Sequence, residues 1–296
     1  MLVIGELINC TRKKVGAATA ARDAAVIREV ASRQVAAGAH VLDVNGGVPG
    51  QEVEALKWLA AVVQEVSELP LCLDSADPAA LAAALPLCRH TPMISSIEMA
   101  RYEPILALVQ EYGTQVVALA MGPSGPPSGI QDRVDNAARI IDRLAGDGVG
   151  VERIYLDPCV LPVSTGGENG IGVAEAITQV MARYPGIHTT VGLSNSSFGL
   201  PLRKLLNQTY LAVLMSRGLD SVIVDPTDRM MMAVLYASEA LLGRDDYCMG
   251  YLRAFRKGLL DLPGFPPPRP AAGGGQAGPP AAAPGSAPTR PTPKQG

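Results

Sequence analysis

Eight short apolar runs recur along the chain, and longer stretches with helical periodicity separate them. The stretches 24–38 and 53–69, for example, place apolar residues at i, i+3, i+4 and i+7. Gly38, Gly113 and Gly218 each follow such a stretch, where a helix commonly ends. The eight runs are 2–8 (LVIGELI), 40–46 (HVLDVNG), 71–75 (LCLDS), 92–97 (PMISSI), 115–121 (QVVALAM), 153–160 (RIYLDPCV), 189–195 (TTVGLSN) and 221–226 (SVIVDP).

This alternation predicts an α/β protein. Near-continuous apolar strands separated by helices indicate a parallel sheet that is covered on both faces. Eight strand–helix repeats within about 240 residues match a (β/α)8 TIM barrel, whose usual size is about 250 residues. A doubly wound open sheet is the alternative, and the count of eight favours the barrel.

The end of the chain has a different composition. Residues 263–296 are nearly all Pro, Ala, Gly and small polar residues, which bury too little apolar surface to offset the entropy of ordering. The whole chain is 48% hydrophobic and 18% charged, so the part before the tail can bury a substantial core. We predict one barrel domain over residues 1–262 and a disordered Pro/Ala/Gly-rich tail over 263–296.

Composition also limits the partners and the compartment. A net charge of −3 gives no support for a nucleic-acid partner. The N-terminus is apolar and then basic, the reverse of a signal peptide, and no run approaches the roughly 18 apolar residues of a membrane span. The five cysteines form no CxxC, and no histidine pairs with another His or Cys at ligand spacing. We expect a cytoplasmic protein with reduced thiols and no structural zinc.

Polar residues cluster at the ends of the predicted strands, and in a barrel the carboxyl ends of the strands form the active-site face. Only strand five ends in apolar residues, Leu119 and Met121. Ser194 has no His partner at a strand end, which argues against serine-type acyl transfer. The polar strand-end residues are Glu6, Asn9, Asp43, Asn45, Asp74, Ser75, Ser95, Ser96, Asp157, Ser194, Asn195 and Asp225.

Two kinds of ligand suit such a mouth. Several carboxylates could hold Mg²⁺, but no DxD pair accompanies them, and the Gly-rich stretch 166–172 lacks the strand-to-helix context of a phosphate loop. A flat heterocycle with several N–H groups fits better, because one carboxylate can accept two adjacent N–H bonds. A pterin, a purine and a pyrimidine all meet this description. We expect no intrinsic metal.

Five motifs add a family resemblance. VIGELIN (3–9), LDVNGG (42–47), LCLDS (71–75), YLDPCVLP (155–162) and GLSNSSFGLPLR (192–203) resemble the pterin-binding corrinoid methyltransferases in order and spacing, over about residues 2–258. That family includes methyltetrahydrofolate:corrinoid protein methyltransferases and the methyltetrahydrofolate domain of cobalamin-dependent methionine synthase. Dihydropteroate synthase shares the barrel, but it typically carries a Lys-containing motif late in the barrel that this sequence lacks.

The resemblance implies that the N5-methyl group passes between methyltetrahydrofolate and the cobalt of a corrinoid (cobalamin). It implies that Asp74 and Asp157 hold the pterin ring with help from Ser95, and that Asn195 hydrogen bonds to N5. The remaining implied substrate contacts are Gly192, Ser194, Phe198 and, in the loop after strand seven, Arg203. Glu6, Asn9, Asp43 and Asn45 are expected behind them.

Two positions depart from the family pattern. Ser95 stands where the family often has Asn, and its shorter side chain is expected to lose one pterin contact or to make it through water. Phe198 stands where some relatives have Gln and others Phe. These changes leave the two aspartates and Asn195 in place, but they bear on substrate affinity.

The partners follow from what the chain lacks. The sequence has no DxHxxG corrinoid-binding motif, so the corrinoid is expected on a separate protein that docks at the barrel mouth. We also expect a homodimer, as in relatives. The basic cluster Arg12, Lys13 and Lys14 either forms a solvated loop or meets folate glutamates or an acidic corrinoid protein. Two alternative functions stay open: a dihydropteroate-synthase-like enzyme, and a non-catalytic pterin-binding or corrinoid-protein scaffold.

Overall fold

A computed structural model describes residues 1–48, 50–123, 125–262 and 264. The strands are β1 (Leu2–Asn9), β2 (Val41–Asn45), β3 (Leu71–Asp74), β4 (Met93–Ile97), β5 (Gln115–Leu119), β6 (Ile154–Asp157), β7 (His188–Thr189) and β8 (Ser221–Val224). The helices are α1 (Lys13–Ala20), α2 (Ala24–Ala36), α3 (Glu52–Gln64), α4 (Pro78–Ala84), α5 (Tyr102–Tyr112), α6 (Ile130–Gly146), α7 (Asn169–Arg183), α8 (Arg203–Ser216), α9 (Arg229–Leu241) and α10 (Met249–Arg256).

The eight strands form one parallel sheet in the order β7-β6-β5-β4-β3-β2-β1-β8, which confirms the predicted TIM barrel over the open sheet. Closure between β7 and β8 rests on a few bonds. Gly192 bridges to Ile223, whose N–H donates to the Val191 carbonyl at 3.0 Å. The Ser221 hydroxyl donates to the Thr189 carbonyl at 3.0 Å. The barrel is therefore nearly closed, and its weakest seam lies beside the chain segment that follows β7.

The seventh strand is much shorter than the predicted run 189–195. Regular pairing ends at Thr189, and Leu193–Ser197 form a 3-10 turn. Within this turn the Ser196 hydroxyl donates to the Leu193 carbonyl at 2.9 Å, and the Ser197 hydroxyl donates to the Ser194 carbonyl at 3.5 Å. Serine hydroxyls that bond to carbonyls three residues back compete with a strand ladder, which explains the early end of β7.

The barrel interior contains an apolar layer on which the polar mouth rests. Its members come from six strands and pack as one cluster: Ile4, Val41, Cys72, Met93, Val117 and Tyr155. Successive strand residues face opposite sides of the sheet, so the residue two positions further along each strand also faces the interior. From β1, β2, β3, β4 and β6 this rule brings to the mouth Glu6, Asp43, Asp74, Ser95 and Asp157.

The helices cover the outside of the sheet and bury a large apolar cluster against it. Gly38, Gly113 and Gly218 have positive φ after α2, α5 and α8, as their sequence positions predict. The compact unit spans Met1–Leu262. The predicted tail lies outside the described residues apart from Gly264, so the domain division stays a prediction. In the described part of the chain, no helix has the length and apolar character of a membrane span.

Gly46 tests how closely α3 packs on the end of β2. A Cβ added at Gly46 would lie 2.6 Å from the Leu56 backbone nitrogen and 2.8 Å from its Cα. Gly46→Ala should destabilise the barrel by about 1–3 kcal/mol, because the clash involves backbone that cannot rotate away. Gly167→Ala is the control, since an added Cβ there meets nothing within 4 Å. Thermal unfolding would show equal midpoints for the two variants if the packing argument were wrong.

Candidate active site

A row of polar side chains crosses three neighbouring strands at the barrel mouth. The parallel register places Asn45 opposite Asp74, and Asp74 opposite Ser95. The Asn45 amide donates to Asp74 Oδ2 at 2.9 Å. Asn45 and Asp74 line a cavity of about 540 Å³ together with Ser75. The structure therefore brings three of the predicted ligand-facing residues into one row beside an open space.

The carboxylates in this half of the mouth are partly removed from water. Burial raises the pKa of Asp74, although the hydrogen bond from Asn45 opposes the rise. Asp43 lies deeper and is only 4% exposed; burial and the neighbouring Asp74 raise the pKa of this carboxyl well above its usual range. Two acidic groups this close, in a site with little water, favour a ligand that donates hydrogen bonds.

Asp157 ends β6 and connects two parts of the mouth. Its Oδ1 accepts the Cys159 N–H at 2.8 Å, and the backbone N–H of Gly192 also favours the ionised carboxylate. Burial raises the pKa of Asp157 to about 6, although these two N–H donors and Arg133 oppose the rise. Asp157 therefore joins the end of β6 to the turn that follows β7.

Asn195 is the exposed residue of the largely buried Leu193–Ser197 turn rather than the end of a strand, which corrects the predicted position. Its side-chain amide makes no hydrogen bond to another described side chain or to the described backbone. A Cβ at Gly192 would lie 3.1 Å from Asn195 Nδ2, so the glycine leaves room for this amide. The turn thus presents an uncommitted amide that can donate through its N–H₂ or accept through its oxygen.

Polar contacts on both sides hold this turn. Glu6 accepts from Arg12 Nη2 at 2.7 Å and from the Ser194 hydroxyl at 3.5 Å. Arg203 Nη2 donates to the Ser194 carbonyl at 2.7 Å, and Arg203 Nε donates to the Ser197 hydroxyl at 3.1 Å. Burial raises the pKa of Glu6, and Arg12 opposes the rise. Glu6, Arg12 and Arg203 therefore support the turn that carries Asn195.

A second cavity of about 440 Å³ adjoins this network and is lined by Glu6, Arg12, Ser194 and Arg203. Arg203 is the first residue of α8 rather than part of a loop, contrary to expectation. Phe198 is 66% exposed at the rim, with the Arg203 guanidinium 5.8 Å from its ring centre. Both residues therefore lie where a substrate at the mouth, or a partner above it, would meet them.

Other predicted residues have local roles. The Asn9 side chain accepts from the Thr11 N–H at 2.9 Å and from its hydroxyl at 2.7 Å, so it shapes the loop after β1. In the basic cluster, Arg12 bonds to Glu6 and Lys14 to Glu29 at 3.2 Å. These ion pairs leave Lys13 as the member with no ion pair to a described acid. The interpretation of the cluster as a folate or partner contact stays a prediction.

Sequence reasoning missed two contributors. One is the Gly192 N–H, which favours the ionised form of Asp157; its position depends on tertiary geometry and leaves no pattern in the sequence. The other is Arg133, which is 2% exposed behind β6 and whose Nη1 donates to the carbonyls of Pro158 and Cys159. Helical periodicity offered a signal for Arg133, because it falls on the same stripe of α6 as the buried Ala137 and Ile140.

The carboxylates and the amide of this site suit a ligand with a polar ring. Within the described residues, no group of three or more His, Cys, Asp and Glu side chains is placed to hold a metal ion. Instead, two half-buried aspartates face the interior from β3 and β6, and the turn after β7 carries an exposed amide. Fold and site together define a barrel that binds a small, flat, N–H-rich molecule at the carboxyl ends of its strands.

The chain belongs to the pterin binding enzyme family, whose sequence profile matches residues 5–225. It is 38% identical over 265 residues to a methylcorrinoid:tetrahydrofolate methyltransferase of Eubacterium limosum, covering 88% of this chain and 98% of that protein. It is 35% identical over 240 residues to methionine synthase of Mycobacterium tuberculosis, covering 76% of this chain and 20% of that protein. These matches confirm the family resemblance.

Solved structures of similar fold are dihydropteroate synthases. The enzyme of Xanthomonas albilineans in complex with 7,8-dihydropteroate superposes with a TM-score of 0.64 at 18% identity, covering 81% of this chain and 93% of that one. The enzyme of Burkholderia cenocepacia gives a TM-score of 0.62 at 23% identity, covering 82% and 93%. At these identities the similarity shows a shared barrel and carries no statement about activity.

Asp157 should make the ligand-free protein less stable at neutral pH. Its pKa of about 6 in the fold exceeds the ordinary 3.8, so the folded state favours the protonated form and stability falls as pH rises between these values. Asp157→Asn should therefore match the wild type near pH 4 and exceed it by about 1–3 kcal/mol at pH 7. Chemical denaturation at several pH values measures the difference. Asp135→Asn, an exposed change on α6, is the control, and a difference for Asp157→Asn that stays flat with pH would contradict the prediction.

Proposed function

We propose that this protein is a methyltransferase that moves a methyl group between N5 of methyltetrahydrofolate and the cobalt of a corrinoid carried by another protein. The observation that carries the proposal is the 38% identity, over 98% of its length, to a methylcorrinoid:tetrahydrofolate methyltransferase. The methionine synthase match supports the same folate-to-corrinoid chemistry. The site is consistent with it, because its carboxylates and its free amide face one mouth.

The two aspartates suit the pterin ring. We propose that the Asp74 oxygen left open by Asn45 and the Asp157 carboxylate accept N–H groups of the ring. Ser95 is buried on β4, between the strands of the two aspartates. Its hydroxyl offers one hydrogen-bond donor, whereas the amide of an Asn offers two. The cost of burying these carboxylates is offset when the ligand provides N–H partners, so the ligand-free site is already arranged for a donor-rich face.

The reaction requires help at N5. When the methyl group leaves as a cation equivalent, the N5–C bond breaks, its electron pair stays on nitrogen, and the electron pair of Co(I) forms the new bond to carbon. Nitrogen must then gain a proton or a strong hydrogen bond. Asn195 can provide that bond in either protonation state of N5, because its amide both donates and accepts. A contact that strengthens as charge develops lowers the barrier more than it stabilises the bound substrate.

The corrinoid partner must reach this mouth from outside. Asn195 and Phe198 are exposed at the rim, so nothing described in the chain covers the N5 position from above. The name of the Eubacterium limosum protein places the methylcorrinoid first, and a catalyst accelerates both directions of one transfer. The net direction in this protein is set by the supply of methylated donor.

A pterin-condensing activity is the second candidate. The dihydropteroate synthases share the barrel, but the likeness is at the level of fold. A non-catalytic pterin-binding or corrinoid-protein scaffold is the third candidate, and Ser95 is the feature that motivates it. The retained Asp74, Asp157 and Asn195 favour the methyltransferase over both.

We further propose a homodimer in the cytoplasm. Supporting the homodimer, the outer surface around α9 and α10 exposes several large apolar side chains, and outer helices provide interfaces in barrel oligomers. The residues are Leu241, Leu242, Tyr247, Met249, Tyr251, Leu252 and Phe255. Sedimentation at several protein concentrations tests the dimer, and Leu241→Ser should weaken it if this face is the interface.

The function itself is tested with purified protein and free cobalamin reduced to Co(I). Addition of methyltetrahydrofolate should convert the Co(I) absorption spectrum to that of methylcobalamin. Tight binding of methyltetrahydrofolate with no methylcobalamin formed would instead support the scaffold. Failure to bind methyltetrahydrofolate, together with condensation of a dihydropterin pyrophosphate with p-aminobenzoate, would establish the synthase.

Asn195→Ala should lower the rate of methyl transfer by about 10²–10³-fold, because a preorganised hydrogen bond to the reacting nitrogen is lost. The dissociation constant for methyltetrahydrofolate should change little, since the aspartates hold the ring. Single-turnover kinetics and calorimetric titration measure the two quantities separately. Gln179→Ala removes an exposed amide from α7 and should leave both unchanged. A full transfer rate in Asn195→Ala would remove the assigned role.

Ser95→Asn tests the effect of having serine at a position on β4 where the family often has asparagine. The longer amide should restore a direct bond to the ring and tighten methyltetrahydrofolate binding by about two- to tenfold, the gain of one hydrogen bond. Ser95→Ala removes the hydroxyl and should weaken binding by a similar factor. Titration calorimetry on both variants checks the pair, and equal affinities in all three proteins would place Ser95 outside the ligand contacts.

A further inference from the structure

Arg133 is a charged side chain buried behind the site. It lies on the first turns of α6 and is 2% exposed. In the described part of the chain its guanidinium bonds to two backbone carbonyls, those of Pro158 and Cys159, rather than to a carboxylate. Burying a guanidinium without an anionic partner is costly, and burial lowers the pKa of Arg133. A residue kept at such a cost needs a role that a smaller apolar side chain could not fill.

The two carbonyls belong to the turn that begins at Asp157. Pro158 is followed by Cys159 at φ +62°, in the left-handed region that non-glycine residues seldom adopt. Proline followed by a positive φ is the order of a type II turn, where glycine is the preferred second residue. A cysteine in that position costs of order 1 kcal/mol and persists only where the surroundings fix it.

This strained turn positions a ligand-facing carboxylate. With Cys159 in the left-handed region, its N–H donates to Asp157 Oδ1 at 2.8 Å, while the carbonyls of Pro158 and Cys159 face Arg133. The guanidinium and the carboxylate thus lie on opposite sides of the same short segment. Holding the carbonyls on one side fixes the direction of the N–H on the other.

We propose that Arg133 is a positioning residue, which fixes the Asp157–Cys159 turn from behind so that the Asp157 carboxylate is oriented and ionised for the pterin ring. The inference rests on the proposed function insofar as Asp157 contacts the substrate. Arg133 itself touches no substrate. It acts through the backbone of its two carbonyl partners and, at longer range, through its charge.

The charge adds to the geometric effect. The positive charge of Arg133 lowers the pKa of Asp157 against the larger effect of burial. The other titratable groups near the guanidinium are Cys159, Tyr210 and Asp132. Burial raises the pKa values of Cys159 and Tyr210, so both are neutral near pH 7, and Asp132 lies on the exposed side of α6. Asp157 is thus the buried group whose ionisation this cation favours.

The test compares Arg133→Met, which keeps length but removes charge and donors, with Arg133→Lys, which keeps the charge. Arg133→Met should weaken methyltetrahydrofolate binding at pH 7 by about tenfold, and Arg133→Lys by less. The fall in affinity on acidification should begin at higher pH in Arg133→Met, because Asp157 then ionises less readily. Arg139→Met removes an exposed guanidinium from the same helix and should match the wild type.

A rescue variant separates positioning from general stability. Glycine adopts the left-handed region without strain, so adding Cys159→Gly to Arg133→Met should restore most of the affinity at pH 7. In this double variant the affinity should still begin to fall at a higher pH than in the wild type, because the missing charge of Arg133 is not replaced. The double variant and Arg133→Lys also keep the test open if Arg133→Met alone does not fold.

Each result decides the proposal. Weak binding in Arg133→Met that Cys159→Gly restores would support it. Wild-type affinity and pH profile in Arg133→Met would overturn it, as would a loss that Cys159→Gly leaves unchanged. If the wild-type protein itself does not bind methyltetrahydrofolate, the proposed function fails instead, and that outcome is seen before any variant is made.

Discussion

The site depends on the two-residue repeat of side-chain direction along parallel strands. An apolar interior layer at Ile4, Val41, Cys72, Met93 and Tyr155 closes the lower barrel, and the residues two positions further along become a polar ring above it. Register between neighbours then sets distances, so that Asn45, Asp74 and Ser95 lie in one row. A shift of one residue in any strand would turn its polar group outward into the apolar layer beneath the helices.

Placing several carboxylates in one lumen has an electrostatic consequence. Burial raises the pKa of Glu6, Asp43, Asp74 and Asp157, so each is harder to ionise than in water. The protein offsets part of this cost with donors at fixed positions: the Asn45 amide to Asp74 and the Cys159 N–H to Asp157. The remaining acceptor capacity is what a donor-rich ring can use, which links the instability of the free site to its affinity for ligand.

The ends of the strands could be predicted from the sequence, whereas the shapes of the segments that connect them could not. Strand-end acids such as Asp74 and Asp157 could be placed because the period of the apolar runs and the count of eight imply where each strand stops. The turn after β7 could not, because its shape depends on serine hydroxyls bonding to carbonyls three residues back, which compete with a ladder that the apolar residues also favour. Arg133 was missed for a similar reason. The role of a lone arginine on an apolar stripe can be recognised only when the carbonyls to which it donates are known.

The division between strands and turn also separates the proposed ring contacts from the proposed reactive amide. The proposed ring contacts, Asp74 and Asp157, extend from strands whose register is fixed, whereas the proposed reactive amide lies on a 3-10 turn beside the weakest seam of the barrel. That turn is held by Arg203 and Glu6 at its sides, and the Gly192 N–H at its start favours the ionised form of Asp157. Under the proposed function, a change in the turn would therefore alter the group at N5 and leave the proposed ring contacts of Asp74 and Asp157 in place.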